Sequence, residues 1–140
     1  MEGKKIILSW IAGAVLLYVT MVLFSSVSRL IAPYDIFSIA GMRQATDPLM
    51  MLYFAYPLVF SLTASYSYSI VRTALPGTYI QKGLLFGFIL VLLVLVNNIF
   101  VIFSSMTYPP GFFIELLLNG LVSYPLLGII YSKIWDMQML

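Results

Sequence analysis

Apolar residues run almost without interruption through four stretches of this chain, at residues 6–28, 48–71, 83–107 and 111–134. A helix needs roughly 20 apolar residues to cross the hydrocarbon core of a bilayer, and each stretch is long enough. Pro109 and Pro110, followed by Gly111, divide the last two stretches, because this combination favours a turn over a continuous helix. The pattern predicts an all-α integral membrane protein: a four-transmembrane-helix bundle in a single membrane domain over residues 1–140.

Composition supports this class and excludes much chemistry. The chain is 62% hydrophobic and 9% charged, whereas a soluble domain is about 25% charged. It has no cysteine and no histidine, which excludes disulfides, thiolate metal sites, imidazole ligation of haem and histidine-based triads. The net charge of +2, without a basic patch interleaved with aromatics, does not favour nucleic acid. No catalytic residue, metal site or cofactor is predicted, and an enzyme is the least supported class.

The flanking lysines and arginines predict an orientation. One side carries more of them (Lys4, Lys5, Arg72, Lys82 and Lys133) than the other (Arg29 and Arg43). Because cytoplasmic loops carry the excess of positive charge, both termini are predicted to be cytoplasmic, in a multi-pass protein of the cell membrane. The first stretch is too long for a signal peptide and is predicted to be a retained span.

The first outer loop, "RLIAPYDIFSIAGMRQATDP", contains helix-capping residues. Asp35 is predicted to cap a short interfacial helix over Ile36 to Gln44, with apolar side chains dipping into the membrane interface. A lid over a substrate site is the alternative. Asp47 is predicted to cap the second span, with Arg43 four residues before it.

Two sequence echoes indicate an internal duplication. Span one ends in "VLFSS" (Val22 to Ser26) and span three in "VIFSS" (Val101 to Ser105), while spans two and four both contain Tyr-Pro-Leu. Span one thus resembles span three, and span two resembles span four. The order is consistent with two repeated helical hairpins.

Prolines and small residues within the spans predict kinks and close packing. Pro57 and Pro125 each remove one helical hydrogen bond, so both are expected to kink their helices toward the bundle interior, with a gating hinge as the alternative. Small residues spaced four apart predict packing seams, with the polar lining of a narrow cavity as the alternative. These seam residues are Ser61, Ser65, Ser69, Gly83 and Gly87.

Polar residues inside the spans are the candidate transport site. Glu115, Asn119 and Ser123 share one side of span four at intervals of four, and an intramembrane carboxylate is a functional-site hypothesis by default. The opposing interpretation is a hydrated helix end, neutralised by Arg29 in an ion pair. Asn97 and Asn98 lie in span three, and Asn98 is expected to form an interhelical amide bond with Asn119.

Three segments carry a resemblance: "DPLMMLYFAYPLVF", "KGLLFGF" and "FSSMTYPPGFFIELLLNGLVSYPLLGIIYSKI". Together they resemble uncharacterised small four-span integral membrane proteins of prokaryotes, in which Asp-Pro opens span two and a basic-Gly pair opens span three. The resemblance covers spans two to four and implies no activity.

Few ionisable groups and many small residues favour a non-catalytic accessory, scaffold or self-assembling subunit of a membrane complex. Its expected partners are the lipid bilayer and either copies of itself or other membrane subunits. The alternative is a small oligomeric transporter or channel that uses Glu115 and its polar neighbours.

Overall fold

The structure, a computed structural model, describes residues 2–138 as helices joined by short loops. The helices are α1 (Glu2–Ile31), α2 (Pro48–Phe54), α3 (Tyr56–Val71), α4 (Tyr79–Ser105) and α5 (Pro110–Asp136). No β-strand occurs within that range. Helices α1, α4 and α5 are each long and apolar enough to cross a membrane, and the bent pair α2 and α3 makes a fourth candidate. The predicted all-α class is therefore confirmed, with three to four candidate spans.

Side-chain caps begin two of the helices. The Asp47 carboxylate accepts a hydrogen bond from the Leu49 amide at 2.9 Å at the start of α2. Arg43 donates to the same carboxylate at 2.8 Å, and this bond is the main reason that the pKa of Asp47 lies below its usual range. Helix α4 begins with a reciprocal capping box between Thr78 and Gln81. The start of α2 therefore coincides with the predicted start of the second span.

The short helix predicted over residues 36–44 is found only in part, and its predicted length is wrong. Asp35 does cap a turn, accepting from the Phe37 amide at 3.0 Å, but only a single 3-10 turn forms, at Ile36–Ser38. The next residue, Ile39, is extended, and Gly41 has a φ of 88°. A right-handed helix cannot continue through a residue in that left-handed conformation, so the rest of the loop is irregular.

Three helix pairs make the main packing contacts. Helix α1 packs on α3 and along most of α5, while the first half of α4 packs on the last half of α5. The residues buried at the centre of these contacts are largely aromatic and aliphatic: Leu17, Tyr68, Phe86, Leu127 and Tyr131.

Both chain ends lie at one end of the bundle. The Lys5 ammonium donates to the backbone carbonyls of Trp135 at 2.8 Å and Met137 at 2.9 Å, which joins the start of α1 to the end of α5. We call this the basic end, since it carries the five lysines and arginines that were predicted to be cytoplasmic. The opposite end, formed by residues 32–47 and the turn at 106–109, is the loop end.

Three of the four candidate spans are irregular within their length. Helices α2 and α3 meet at Ala55 with a bend of 41°, two residues before Pro57. In α5, a π-helical segment at Asn119–Ser123 precedes Pro125. A second π segment, Val91–Val96 in α4, contains no proline or glycine, so the sequence pattern does not predict it. The Asn97 amide donates to two carbonyls of that segment, Leu92 at 3.2 Å and Leu93 at 2.9 Å.

Candidate functional site

The backbones of α4 and α5 touch where the predicted glycines lie. A Cβ atom on Gly83 would lie 2.5 Å from the Ile129 Cα atom. A Cβ atom on Gly87 would lie 2.7 Å from both the Pro125 nitrogen and the Tyr124 carbonyl oxygen. Both distances are shorter than any real Cβ contact, so only glycine permits this crossing.

Serine hydroxyls join α3 to α1. Ser61 donates to the Trp10 carbonyl at 2.7 Å and Ser65 donates to the Ile6 carbonyl at 2.9 Å, and both serines are fully buried. Ser69 instead donates to the Tyr66 carbonyl of its own helix at 2.6 Å. The first two therefore hold the two helices together, while the third contributes no hydrogen bond to α1.

A buried tyrosine extends this seam to α5. The Tyr131 hydroxyl lies 2.8 Å from the Ser61 hydroxyl and donates to the Ser61 carbonyl at 2.9 Å. Gly13 of α1 leaves room for both groups, because a Cβ atom there would overlap them. The sequence pattern does not single out Tyr131, and its only signal is a lone tyrosine within the apolar run that follows Pro125. These polar groups bond one another and fill the interior instead of lining an open channel.

Glu115 binds a tyrosine from the first loop. The Tyr34 hydroxyl donates to the Glu115 carboxylate, and the Tyr34 ring contacts the start of α5, where Gly111 has no side chain to obstruct it. Burial, reinforced by this hydrogen bond, raises the pKa of Tyr34 well above its usual value. Sequence reasoning missed Tyr34, because nothing in its local pattern indicates a partner 81 positions away.

The predicted ion pair between Arg29 and Glu115 does not form. Within residues 2–138, the ion pairs closer than 4 Å are Arg43 with Asp47 and Arg72 with Glu2, and Arg29 is exposed. The carboxylate of Glu115 instead accepts from Tyr34, which lies in the chain that leaves α1.

The remaining polar residues of the candidate site do not converge. Asn119 donates to the Glu115 carbonyl of its own helix at 3.1 Å. Ser123 is fully buried, and its hydroxyl has no partner among the described residues. Asn98 is exposed, and the hydrogen bonds within residues 2–138 do not include the expected bond between Asn98 and Asn119.

The last part of α4 lies against little of the chain. Its segment Asn97–Ser105, which we call the outer segment, has no buried residue. Phe100 is 73% exposed and Phe103 is 76% exposed, although the Phe103 ring contacts Phe113 edge-on. An uncharged helix surface, with both apolar and polar side chains, is therefore left uncovered beside the loop end.

Residues 2–138 hold no group of three or more His, Cys, Asp or Glu side chains that would bind a metal ion. No family model, no curated protein and no solved structure matches this chain. Its function must therefore be inferred from the geometry of its own residues.

Proposed function

We propose that this chain is a multi-pass protein of the cell membrane with four spans and both termini in the cytoplasm. In this proposal it acts as a non-catalytic subunit that assembles with another membrane chain. Three to four helices of sufficient length and apolar character support insertion. The excess of lysine and arginine at the basic end supports the orientation.

The exposed outer segment carries the assembly proposal. Within a bilayer, lipid offers no hydrogen-bond partner, so an exposed amide such as that of Asn98 is costly until another polypeptide supplies one. Asn98, Val101 and Ser105 share one side of the helix by their spacing. Asn98 and Ser105 are polar or small, and such residues along one stripe are those through which membrane helices associate.

The exposed residues of the outer segment suit a second copy of the same chain better than another partner. The outer segment has no charged residue, so two copies meet there without electrostatic repulsion. Each Asn98 amide has both donor and acceptor groups, so the same residue on two chains is self-complementary. The proposed function is therefore that of a self-assembling subunit.

Cysteine cross-linking tests this contact cleanly, because the chain has no native cysteine. We expect Val101→Cys to give a disulfide-linked dimer in proteoliposomes under mild oxidation. Val22→Cys is the matched control, since Val22 is 63% exposed, Val101 is 56% exposed, and they occupy equivalent positions in the two related motifs. Equal cross-linking at both positions, or none at Val101, would contradict the proposed interface.

A second candidate function, a small transporter, is favoured by one observation. Tyr34, the partner of Glu115, also lines a cavity of about 1090 Å³ at the loop end together with Asp35, Thr107 and Tyr108. A carboxylate beside a wet cavity is suited to binding a proton or a cation. This candidate ranks second because the Ser61 and Tyr131 hydroxyls bond each other and backbone carbonyls in the described interior.

A further inference from the structure

A polar cavity of about 520 Å³ lies at the basic end, between the end of α3, the start of α4 and the end of α5. Charged, hydroxyl-bearing and indole side chains line this cavity, among them Arg72, Thr78, Tyr79, Lys82, Trp135 and Asp136. None of them takes part in the assembly surface or in the contact between Tyr34 and Glu115.

Two donors at this cavity lack acceptors. Trp135 is only 9% exposed, and its indole N–H has no hydrogen-bond partner within residues 2–138. The Nε–H group of Arg72 is likewise buried and unpaired in that range, although another nitrogen of the same guanidinium bonds Glu2 at 2.9 Å. Both groups donate and neither accepts. Buried donors are normally satisfied, so a ligand that carries acceptor atoms suits the side chains that line this cavity.

The charges around the cavity favour an anion. The Arg72 guanidinium stacks 4.5 Å from the centre of the Trp135 ring, and the Lys133 ammonium lies 4.6 Å from the centre of the Tyr79 ring. Lys82 lines the cavity one turn into α4. The N-terminus of this long helix, capped by Thr78, adds partial positive charge.

The acidic residue in the lining does not neutralise these groups. Asp136 is exposed, and it is not among the ion pairs closer than 4 Å that residues 2–138 form. Glu2 is already engaged by Arg72. This ion pair offsets part of the Arg72 charge, but the three cations around the cavity, Arg72, Lys82 and Lys133, still outnumber Glu2 and Asp136.

We propose that this cavity binds a phosphate oxyanion, the group carried by the headgroup of an anionic phospholipid. A phosphate diester offers negatively charged acceptor oxygens and no donor, which matches two unpaired N–H groups flanked by cations. If the helices span a bilayer, their ends lie at the level of the headgroups, where basic pockets between helices bind such lipids. Inorganic phosphate shares this chemistry, so the test includes both sources.

Binding is measured on the full-length chain purified in a neutral detergent. Native mass spectrometry reports retention of phosphatidylglycerol or phosphatidylcholine, and calorimetry reports binding of inorganic phosphate. The variants are Lys82→Gln, which removes one charge, and Trp135→Phe, which removes the indole donor while keeping an aromatic ring. Lys4→Gln is the matched control, because it removes a basic-end lysine that does not line the cavity.

We expect phosphatidylglycerol to be retained in preference to phosphatidylcholine, with about fivefold weaker retention in each of Lys82→Gln and Trp135→Phe and no change in Lys4→Gln. Binding of inorganic phosphate alone, with the same dependence on Lys82 and Trp135, would support the oxyanion site and identify a soluble source. Circular dichroism checks that each variant keeps its helix content. The proposal would be overturned if neither phosphatidylglycerol nor inorganic phosphate bound. It would also be overturned if Lys4→Gln weakened their binding as much as Lys82→Gln did.

Discussion

Glu115 shows how a residue's environment depends on distant parts of the chain. Its spacing from Asn119 and Ser123 was readable from the sequence, because a period of four places side chains on one side of a helix. The hydrogen-bond partner of Glu115 could not be predicted from the sequence. Tyr34 lies in an irregular loop and contacts α5 at Gly111, which has no side chain to obstruct it. Charge alone favoured Arg29, which forms no ion pair with Glu115 in the structure.

Substitution of Glu115 distinguishes the two candidate functions. We expect Glu115→Gln to keep the fold and to change the free energy of unfolding by about 1 kcal/mol at most, because the amide oxygen still accepts from Tyr34. Glu115→Leu, which leaves the phenol without an acceptor, should destabilise more. Unfolding in detergent and ion flux in proteoliposomes are measured on the same preparations. An ion flux that Glu115→Gln abolishes while the fold persists would favour the transporter over the non-catalytic subunit.

At the scale of helices, the prolines predicted where the helices are irregular. The asparagines did not predict a contact between helices, because Asn98 and Asn119 form no bond with each other within residues 2–138. Both Tyr-Pro-Leu motifs lie where a regular helix resumes after an irregular turn, at Tyr56 and at Tyr124. The π segment Val91–Val96 was missed, because it contains neither the proline nor the glycine that would predict an irregular helix. The duplication stays a prediction: one hairpin is joined by serine hydroxyls and the other by glycine contacts.

The glycine crossing between α4 and α5 makes a sharp stability prediction. Gly87→Ala should lower the free energy of unfolding by about 2 kcal/mol or more, since the new methyl group overlaps backbone atoms of Pro125 and Tyr124. Gly3→Ala is the matched control, because a Cβ atom there meets nothing within 4 Å. Both are measured by unfolding in mixed micelles. Equal stability of the two variants would show that the helices do not cross as closely as described.

At the scale of the whole molecule, hydrophobic pattern predicted the class and the approximate helix bounds. It did not predict that the two ends of the bundle pack differently. The basic end is held by Lys5 and by the stacking of Arg72 on Trp135, whereas the outer segment of α4 covers little of the chain. Periodicity cannot show this difference, because a helix facing lipid and a helix facing another subunit are both apolar.

The most direct test of the account counts the chains that associate within a lipid bilayer. In nanodiscs or vesicles analysed by single-molecule photobleaching, we expect the native chain to form dimers and Asn98→Leu to dissociate about tenfold more readily. Thr63→Leu is the matched control, since Thr63 is exposed on α3 and its hydroxyl bonds its own helix at 2.9 Å. A native chain that stays single at all concentrations, or an Asn98→Leu variant that associates as strongly as the native chain, would contradict self-assembly through the outer segment.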